Sequence, residues 1–207
     1  MKILIAGSTG TIGRQLVKQA LEGGHEVTAF ARDPSKLQID NHKLTTYRGD
    51  ILDPASVKQV MPGKDAVLCA LGAGSKGGVR ATGTHNLIEA MKENGVRRLV
   101  CLSSLGVGDS RGNLNFFWKY IMFGLLLRRA FADHVAQEDR VTASSLDWTI
   151  VRPGAYTDGD RTGGYRHGFP ASASDLKLKV SRADVADFML KQLTDDSYLH
   201  RAPGISY

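Results

Sequence analysis

The chain has 207 residues, 42% of them apolar, which suits one substantial core and is short for two domains of ordinary size. Its two cysteines, Cys69 and Cys101, lie in apolar runs, so they exclude a disulfide framework and predict a reducing compartment. The net charge of +6 comes from scattered lysines and arginines, without the basic stripe and interleaved aromatics expected of a nucleic-acid-binding protein.

Apolar runs of strand length alternate along the chain with segments of helical periodicity. We predict strands at residues 2–6, 26–31, 44–48, 65–71, 98–103 and 148–152, and helices at residues 11–23, 54–61, 78–94 and 116–145. Several of the strands are continuously apolar, as is typical of parallel strands that are covered on both faces. The pattern predicts an α/β fold: a single Rossmann-like domain over residues 1–207, with a doubly wound parallel sheet and helices on both faces.

The first strand begins at Lys2, without the basic and apolar segments of a signal peptide. The longest apolar stretch, residues 116–127, contains Lys119 and is too short to span a bilayer. We therefore expect a cytoplasmic protein without a transmembrane segment.

The most informative stretch is the turn that joins the first strand to the first helix, Gly7-Ser8-Thr9-Gly10-Thr11-Ile12-Gly13. A strand, a glycine-rich turn and a helix in direct succession are typical of dinucleotide binding. Glycines let the chain reverse sharply, and they let backbone amides at a helix N-terminus touch a pyrophosphate. All seven residues are predicted to bind the cofactor.

The second strand ends at Arg32-Asp33-Pro34, where the ribose next to adenine is expected. A guanidinium here pairs with the 2′-phosphate of NADP, whereas a carboxylate favours the 2′-hydroxyl of NAD. Because Asp33 precedes a proline, we interpret it as a turn or helix cap. The sequence therefore favours NADP(H) over NAD(H). At the end of the fourth strand, the stretch Leu71-Gly72-Ala73 is small enough for a close approach of the cofactor.

Several motifs together resemble a known superfamily. They are the Gly-x-x-Gly-x-x-Gly spacing, Gly49-Asp50, the fifth-strand end Leu102-Ser103-Ser104-Leu105-Gly106, and the late segment Trp148-Thr149-Ile150-Val151-Arg152-Pro153-Gly154. Over essentially its whole length, the chain resembles atypical short-chain dehydrogenases/reductases of the NAD(P)H-binding, NmrA-like group. Within that group it is similar to the biliverdin-IXβ reductase/flavin reductase family. The resemblance implies that Asp50 and Ile51 lie against adenine, and that Pro153 and Gly154 face the carboxamide end of the cofactor.

The chain lacks the Tyr-x-x-x-Lys pair with which many short-chain dehydrogenases protonate a carbonyl oxygen. The tyrosines at 120, 156 and 165 are followed four residues later by Gly, Asp and Phe. The flavin and biliverdin reductases of the family do not need this pair, since their conjugated acceptors stack on the nicotinamide and take the hydride directly. By this analogy Ser104 is the predicted catalytic residue, and Ser103, also a candidate cofactor contact, is the adjacent alternative.

Residues 105–145 and 154–180 are expected to form the substrate side, where a small aromatic or otherwise conjugated molecule would bind. His134, Arg152 and Tyr156 are the candidate substrate contacts. A lone helical histidine is more often a packing or surface residue than a catalytic one, and a structural ion pair is an equal alternative for Arg152. Gly154 replaces a histidine of the biliverdin reductases, which puts bilin-specific contacts in doubt. Segment 116–127 has three interpretations, namely buried core, a mobile pocket wall, or a dimer or membrane contact.

Two functions follow from these observations. The first is an NADPH-dependent reductase of a flavin, bilin or similar conjugated acceptor. The alternative is a non-enzymatic, NmrA-like dinucleotide sensor, which the missing Tyr-x-x-x-Lys pair also fits. A sugar-nucleotide epimerase is disfavoured because the chain lacks both that pair and a long substrate domain. No metal site is predicted, and the sequence leaves the oligomeric state and the physiological substrate open.

Overall fold

A computed structural model describes residues 1–72 and 77–207. The strands are β1 Lys2–Ala6, β2 Glu26–Ala31, β3 Leu44–Arg48, β4 Ala66–Cys69, β5 Arg98–Leu102, β6 Asp147–Pro153, β7 Ala155–Thr157, β8 Arg166–His167, β9 Lys179–Ser181 and β10 Gly204–Ser206. The α-helices are α1 Thr11–Glu22, α2 Pro54–Val60, α3 Arg80–Glu93, α4 Arg128–Thr142 and α5 Arg182–Lys191, and a π-helix covers Phe117–Leu126.

The main sheet has the strand order β3-β2-β1-β4-β5-β6-β10-β8. All neighbouring pairs in it are parallel except β10 and β8, and the short strands β7 and β9 form a separate parallel pair. The order reverses between β1 and β4, so the crevice at their carboxyl ends is the expected place for a ligand. The predicted Rossmann-like α/β fold is confirmed.

Two apolar clusters cover the two faces of the sheet. Ile3 and Ile5 of β1 face the cluster that contains buried residues of α1 and α5, whereas Leu4 faces the cluster that contains residues of α2, α3 and α4. Successive strand residues point to opposite faces, so a strand buried on both sides must be apolar throughout. This requirement explains why the continuous apolar runs predicted the central strands.

The predicted helix over residues 116–145 differs from the structure, which has the π-helix followed by α4. The two helices are separated at Leu127, whose φ of −111° and ψ of 17° leave the helical region. The amide of Leu127 donates to the carbonyl of Met122, five residues back, at 2.7 Å. This wider turn is typical of π-helices, which are often found at functional sites.

The strands after β6 were not predicted from apolar runs. β7 to β10 have only two or three residues each, too few for a periodicity to show. Among the described residues, no helix is long and apolar enough to cross a membrane.

Candidate functional site

The glycine turn after β1 has the shape of a phosphate cradle. Gly7 adopts a φ of +80°, and a Cβ at Gly7 would collide with the carbonyl of Ala70 at the end of β4. A Cβ at Gly13 would collide with the carbonyl of Gly7, so the third glycine lets α1 pack directly against the turn. The N-terminus of α1 has no side-chain cap and no acidic residue in its first turn. It is therefore open to an anion, and these residues fit a dinucleotide pyrophosphate.

A cavity of about 390 Å³, here called the cofactor groove, runs along the carboxyl ends of the strands beside this turn. The predicted cofactor residues that line it are Gly7, Thr9, Gly10, Thr11, Ile12, Arg32, Asp50, Ile51, Leu71 and Gly72. Ser8 is not among them, because it is buried and its Oγ donates to the carbonyl of Phe30 at 3.2 Å. Gly13 lies beneath the turn, and Ala73 is outside the described residues.

Two cations stand at the β2 end of the groove. Arg32 and Lys36 are exposed and both line the groove, whereas Asp33 is not part of the lining. The carboxylate of Asp33 accepts a hydrogen bond from Ser35 Oγ at 2.6 Å and lies 3.5 Å from the ammonium of Lys36. These neighbours lower the pKa of Asp33. Asp33 therefore stabilises the turn at Pro34–Leu37, as the sequence indicated, and Arg32 faces the groove.

A second cavity of about 220 Å³, here called the side cavity, adjoins the groove. Arg80 and Tyr156 line both spaces, so the two meet at these side chains. The predicted residues Ser104, His134, Pro153, Gly154 and Tyr156 all line the side cavity. Much of the remaining wall is apolar and aromatic, with contributions from Leu105, Leu114, Trp118, Phe123, Leu127 and Phe131.

The two serines after β5 point to different surroundings. Ser104 is half-buried, lines the side cavity and donates from its Oγ to the carbonyl of Leu105 at 3.2 Å. Ser103 is fully buried, and its Oγ donates to Glu138 Oε1 at 2.5 Å. The structure thus brings Ser104 to the side cavity, while Ser103 lies in neither the groove nor the side cavity.

Arg152 is also placed away from both spaces. Its guanidinium is buried and donates to the carboxylate of Glu138 from Nε at 3.0 Å and from Nη2 at 2.6 Å. A third bond runs from Nη1 to Asp109. Arg152 had two interpretations, a substrate contact and a structural ion pair, and the structure supports the ion pair. This pair joins the end of β6 to α4 beneath Ser103.

His134 and Tyr156 both line the side cavity, but they differ in how far water reaches them. The Nδ1 atom of His134 is buried and has no hydrogen-bond partner among the described residues, and burial lowers the pKa of His134 to about 3. This imidazole is therefore neutral at neutral pH and is not a proton donor in its cationic form. Tyr156 keeps 39% of its surface exposed, so water reaches its side chain.

Arg80 is a site residue that the sequence analysis missed. It is buried, it lines both spaces, and its Nε and Nη1 atoms have no hydrogen-bond partner within residues 1–72 and 77–207. Asp133 lies 3.5 Å from Nη1, but its carboxylate already accepts the backbone amides of Arg80 and Ala81 at 3.1 Å each. A cation in the first turn of a helix is unfavourable next to the helix dipole. This unfavourable position is the feature of the sequence that could have indicated a role for Arg80 other than stabilising the helix.

Comparisons with known proteins agree with this geometry. A family model described as NAD(P)H-binding matches residues 7–196. An uncharacterized chloroplastic protein of Arabidopsis thaliana is 33% identical over 177 residues, a match that covers 78% of this chain and 61% of that protein.

Solved structures show the same fold. A short-chain dehydrogenase/reductase of Veillonella parvula in complex with NADP superimposes with a TM-score of 0.84 at 19% identity, covering all of this chain and 94% of that one. ChuY, an anaerobilin reductase of Escherichia coli O157:H7, gives a TM-score of 0.80 at 22% identity, with 99% and 96% of the two chains covered. Because the family model extends from the glycine turn to beyond α5, this chain belongs to the NAD(P)H-binding family of Rossmann-fold proteins.

Proposed function

We propose that the protein is an NADPH-dependent reductase that delivers a hydride to a flavin, bilin or similar conjugated acceptor. The observation that carries this proposal is the junction of the cofactor groove with the aromatic side cavity at Arg80 and Tyr156. When bound, NADPH supplies the hydride, and the acceptor takes up that hydride and one proton from water. The chain's own task is to hold two flat molecules in contact and to exclude competing reactions.

The walls of the side cavity suit a planar acceptor. Phe123 stacks on Phe131 with ring centroids 4.8 Å apart, and Trp118 lies 5.8 Å from Phe123. Ser104 is the hydroxyl that can orient a polar edge of the acceptor beside the carboxyl end of β5. The neutral His134 offers a hydrogen bond rather than a charge. An acceptor that is reduced directly needs positioning by these groups and no tyrosine–lysine proton relay.

Arg80 narrows the class of acceptor. Its guanidinium is buried at the junction, and two of its nitrogen atoms have no hydrogen-bond partner in the described part of the chain. An unsatisfied buried donor is costly. A carboxylate or phosphate on the ligand would accept its hydrogen bonds. We therefore favour acceptors that carry such an anion, for example a flavin phosphate or a bilin propionate. The structural neighbour ChuY is an anaerobilin reductase, which supports a bilin-like acceptor.

NADPH is favoured over NADH because of the β2 end of the groove. Arg32 and Lys36 line the groove there, and Asp33 is held by Ser35 and Lys36 away from it. A guanidinium and an ammonium at this point are matched to the 2′-phosphate.

The test is NADPH oxidation by the purified protein in the presence of FMN, riboflavin or biliverdin. We expect at least one of these acceptors to accelerate the loss of NADPH absorbance above the protein-free rate. Ser104→Ala should lower kcat by at least about tenfold while the Kd for NADPH stays unchanged, since Ser104 orients the acceptor. Ser144→Ala is the matched control, because Ser144 is also half-buried and also donates to a carbonyl, that of Val141 at 2.7 Å.

Two outcomes contradict the proposal. If none of these acceptors nor a quinone-like dye accelerates NADPH oxidation, the protein is not a reductase of this class. If calorimetry then shows that NADPH and NADP both bind tightly, the non-enzymatic sensor is the better account.

A further inference from the structure

The π-helix presents an apolar outer surface that the described part of the fold does not cover. Phe116 is 73% exposed and Leu125 is 71% exposed. Together with the other exposed apolar residues of this segment they form what we call the outer face, which consists of Phe116, Phe117, Tyr120, Ile121, Leu125 and Leu126. We propose that the outer face docks this protein onto the surface of a bilayer that contains anionic lipids.

The inner side of the same segment is already occupied. Trp118 and Phe123 line the side cavity, and Phe123 stacks on Phe131 of α4. These contacts fix the orientation of the π-helix, so the outer face cannot turn inward without emptying the cavity wall. Transfer of one exposed Leu or Phe side chain into an apolar environment is worth about 1.5–3 kcal/mol. Several such side chains on one ten-residue helix are an unusual feature of a surface in water.

Charge identifies the kind of surface that the outer face suits. Between Ser110 and Ala132 the chain has four cations and no carboxylate, the cations being Arg111, Lys119, Arg128 and Arg129. Arg111, Arg128 and Arg129 are exposed. Each cation near an anionic leaflet contributes about 1 kcal/mol of attraction. Aromatic and leucine side chains bordered by basic residues are the composition of helices that lie in a membrane interface.

The same charges argue against a second copy of this chain as the occupant. A two-fold symmetric dimer would place the same basic patch on both sides of the contact, where like charges repel. The length of the segment also limits how deeply it can enter a bilayer, because a ten-residue helix is too short to cross one and lies along its surface. The membrane-docking proposal goes beyond the reductase function and does not depend on it.

The experiment is flotation of the purified full chain with lipid vesicles. Vesicles of phosphatidylcholine alone are compared with vesicles that also contain phosphatidylglycerol. We expect the protein to float with the anionic vesicles, and added salt to weaken the binding. Leu125→Ser/Leu126→Ser should lower the partition coefficient at least about tenfold. Val135→Ser, which changes an exposed apolar residue of α4, is the control and should bind as the wild type does.

A variant that lacks two of these cations measures the electrostatic contribution to vesicle binding. Arg128→Ser/Arg129→Ser should weaken binding to anionic vesicles, whereas Lys18→Ser/Arg140→Ser removes two exposed cations elsewhere and should not. Circular dichroism and NADPH affinity of each variant show that the fold is intact. The proposal is overturned if the wild type leaves both kinds of vesicle unbound. It is also overturned if light scattering shows a dimer that Leu125→Ser/Leu126→Ser dissociates, since the outer face would then hold a second copy.

Discussion

At the end of β2, the proposed preference for NADPH depends on Arg32. Its guanidinium is exposed, lines the cofactor groove and makes no ion pair among the described residues. Replacing it with serine should raise the KM for NADPH about five- to tenfold, the equivalent of about 1–1.4 kcal/mol, and leave the KM for NADH unchanged. Arg48→Ser, which removes the exposed arginine at the end of the neighbouring β3, is the control. An equal rise in both KM values would contradict the assignment.

The affinity for an anionic acceptor is proposed to depend on Arg80. FMN and riboflavin share the isoalloxazine ring, but only FMN has a phosphate. If Arg80 binds an anion on the acceptor, Arg80→Met should raise the KM for FMN about tenfold and change that for riboflavin much less, because only FMN loses a charge-assisted bond. Steady-state kinetics with both flavins provide the measurement. An equal effect on both flavins, with a higher KM for NADPH, would instead place the guanidinium on the cofactor.

These two arginines show how far the sequence predicts a site. Arg32 could be proposed as a cofactor contact because it follows the strand after the glycine turn, a position that the fold places beside the cofactor groove. Arg80 has no such motif. Its role arises because α3 and the segment after β6 bring it between two cavities, and one sequence does not reveal that contact. The two serines are a similar case, since Ser103 is bound by Glu138 of α4, whereas Ser104 bonds the carbonyl of Leu105.

Among the secondary-structure elements, the central strands β1, β4 and β5 were predictable because their residues are buried on both faces. β1, β2 and the exposed edge strand β3 begin and end at the predicted residues, and β4 and β5 are shorter than predicted only at their ends. The predicted helix at 116–145 was continuous because apolar content and periodicity do not register a change from α to π geometry. The interruption at Leu127 lies between Phe123 and Phe131, whose rings stack across it.

The ion pair beneath Ser103 ties three elements to one another. Glu138 of α4 accepts bonds from Ser103 after β5 and from Arg152 of β6, and Asp109 after β5 also bonds Arg152. A buried pair of this kind adds little stability compared with an apolar core, but losing one partner leaves an uncompensated charge. Its effect here is geometric, because it fixes the carboxyl ends of β5 and β6 on which Ser104 and Pro153 stand.

For the whole molecule, the buried imidazole of His134 couples stability to pH. Its pKa is about 3 in the folded state and 6.5 in the absence of burial, so the unfolded chain binds the proton more readily between these values. Stability from this group is therefore intact above about pH 6.5 and falls as the pH is lowered toward 3. The nearby charges change the pKa of His134 in the same direction as burial does. Arg80 opposes the protonation of His134, and Asp133 only partly offsets this effect.

The measurement is the free energy of unfolding in urea at pH 7 and at pH 5, a range in which His134 stays neutral in the folded chain. Wild type should lose up to about 2 kcal/mol from this group across that interval, by the linkage between pKa and stability. His134→Gln should remove that share of the loss, because glutamine does not titrate, whereas His42→Gln, which changes an exposed histidine outside both cavities, should retain it. If wild type and His134→Gln lose the same free energy between pH 7 and pH 5, the imidazole is not held neutral by burial. The side cavity would then admit water freely, and the case for a dry, aromatic acceptor site would weaken with it.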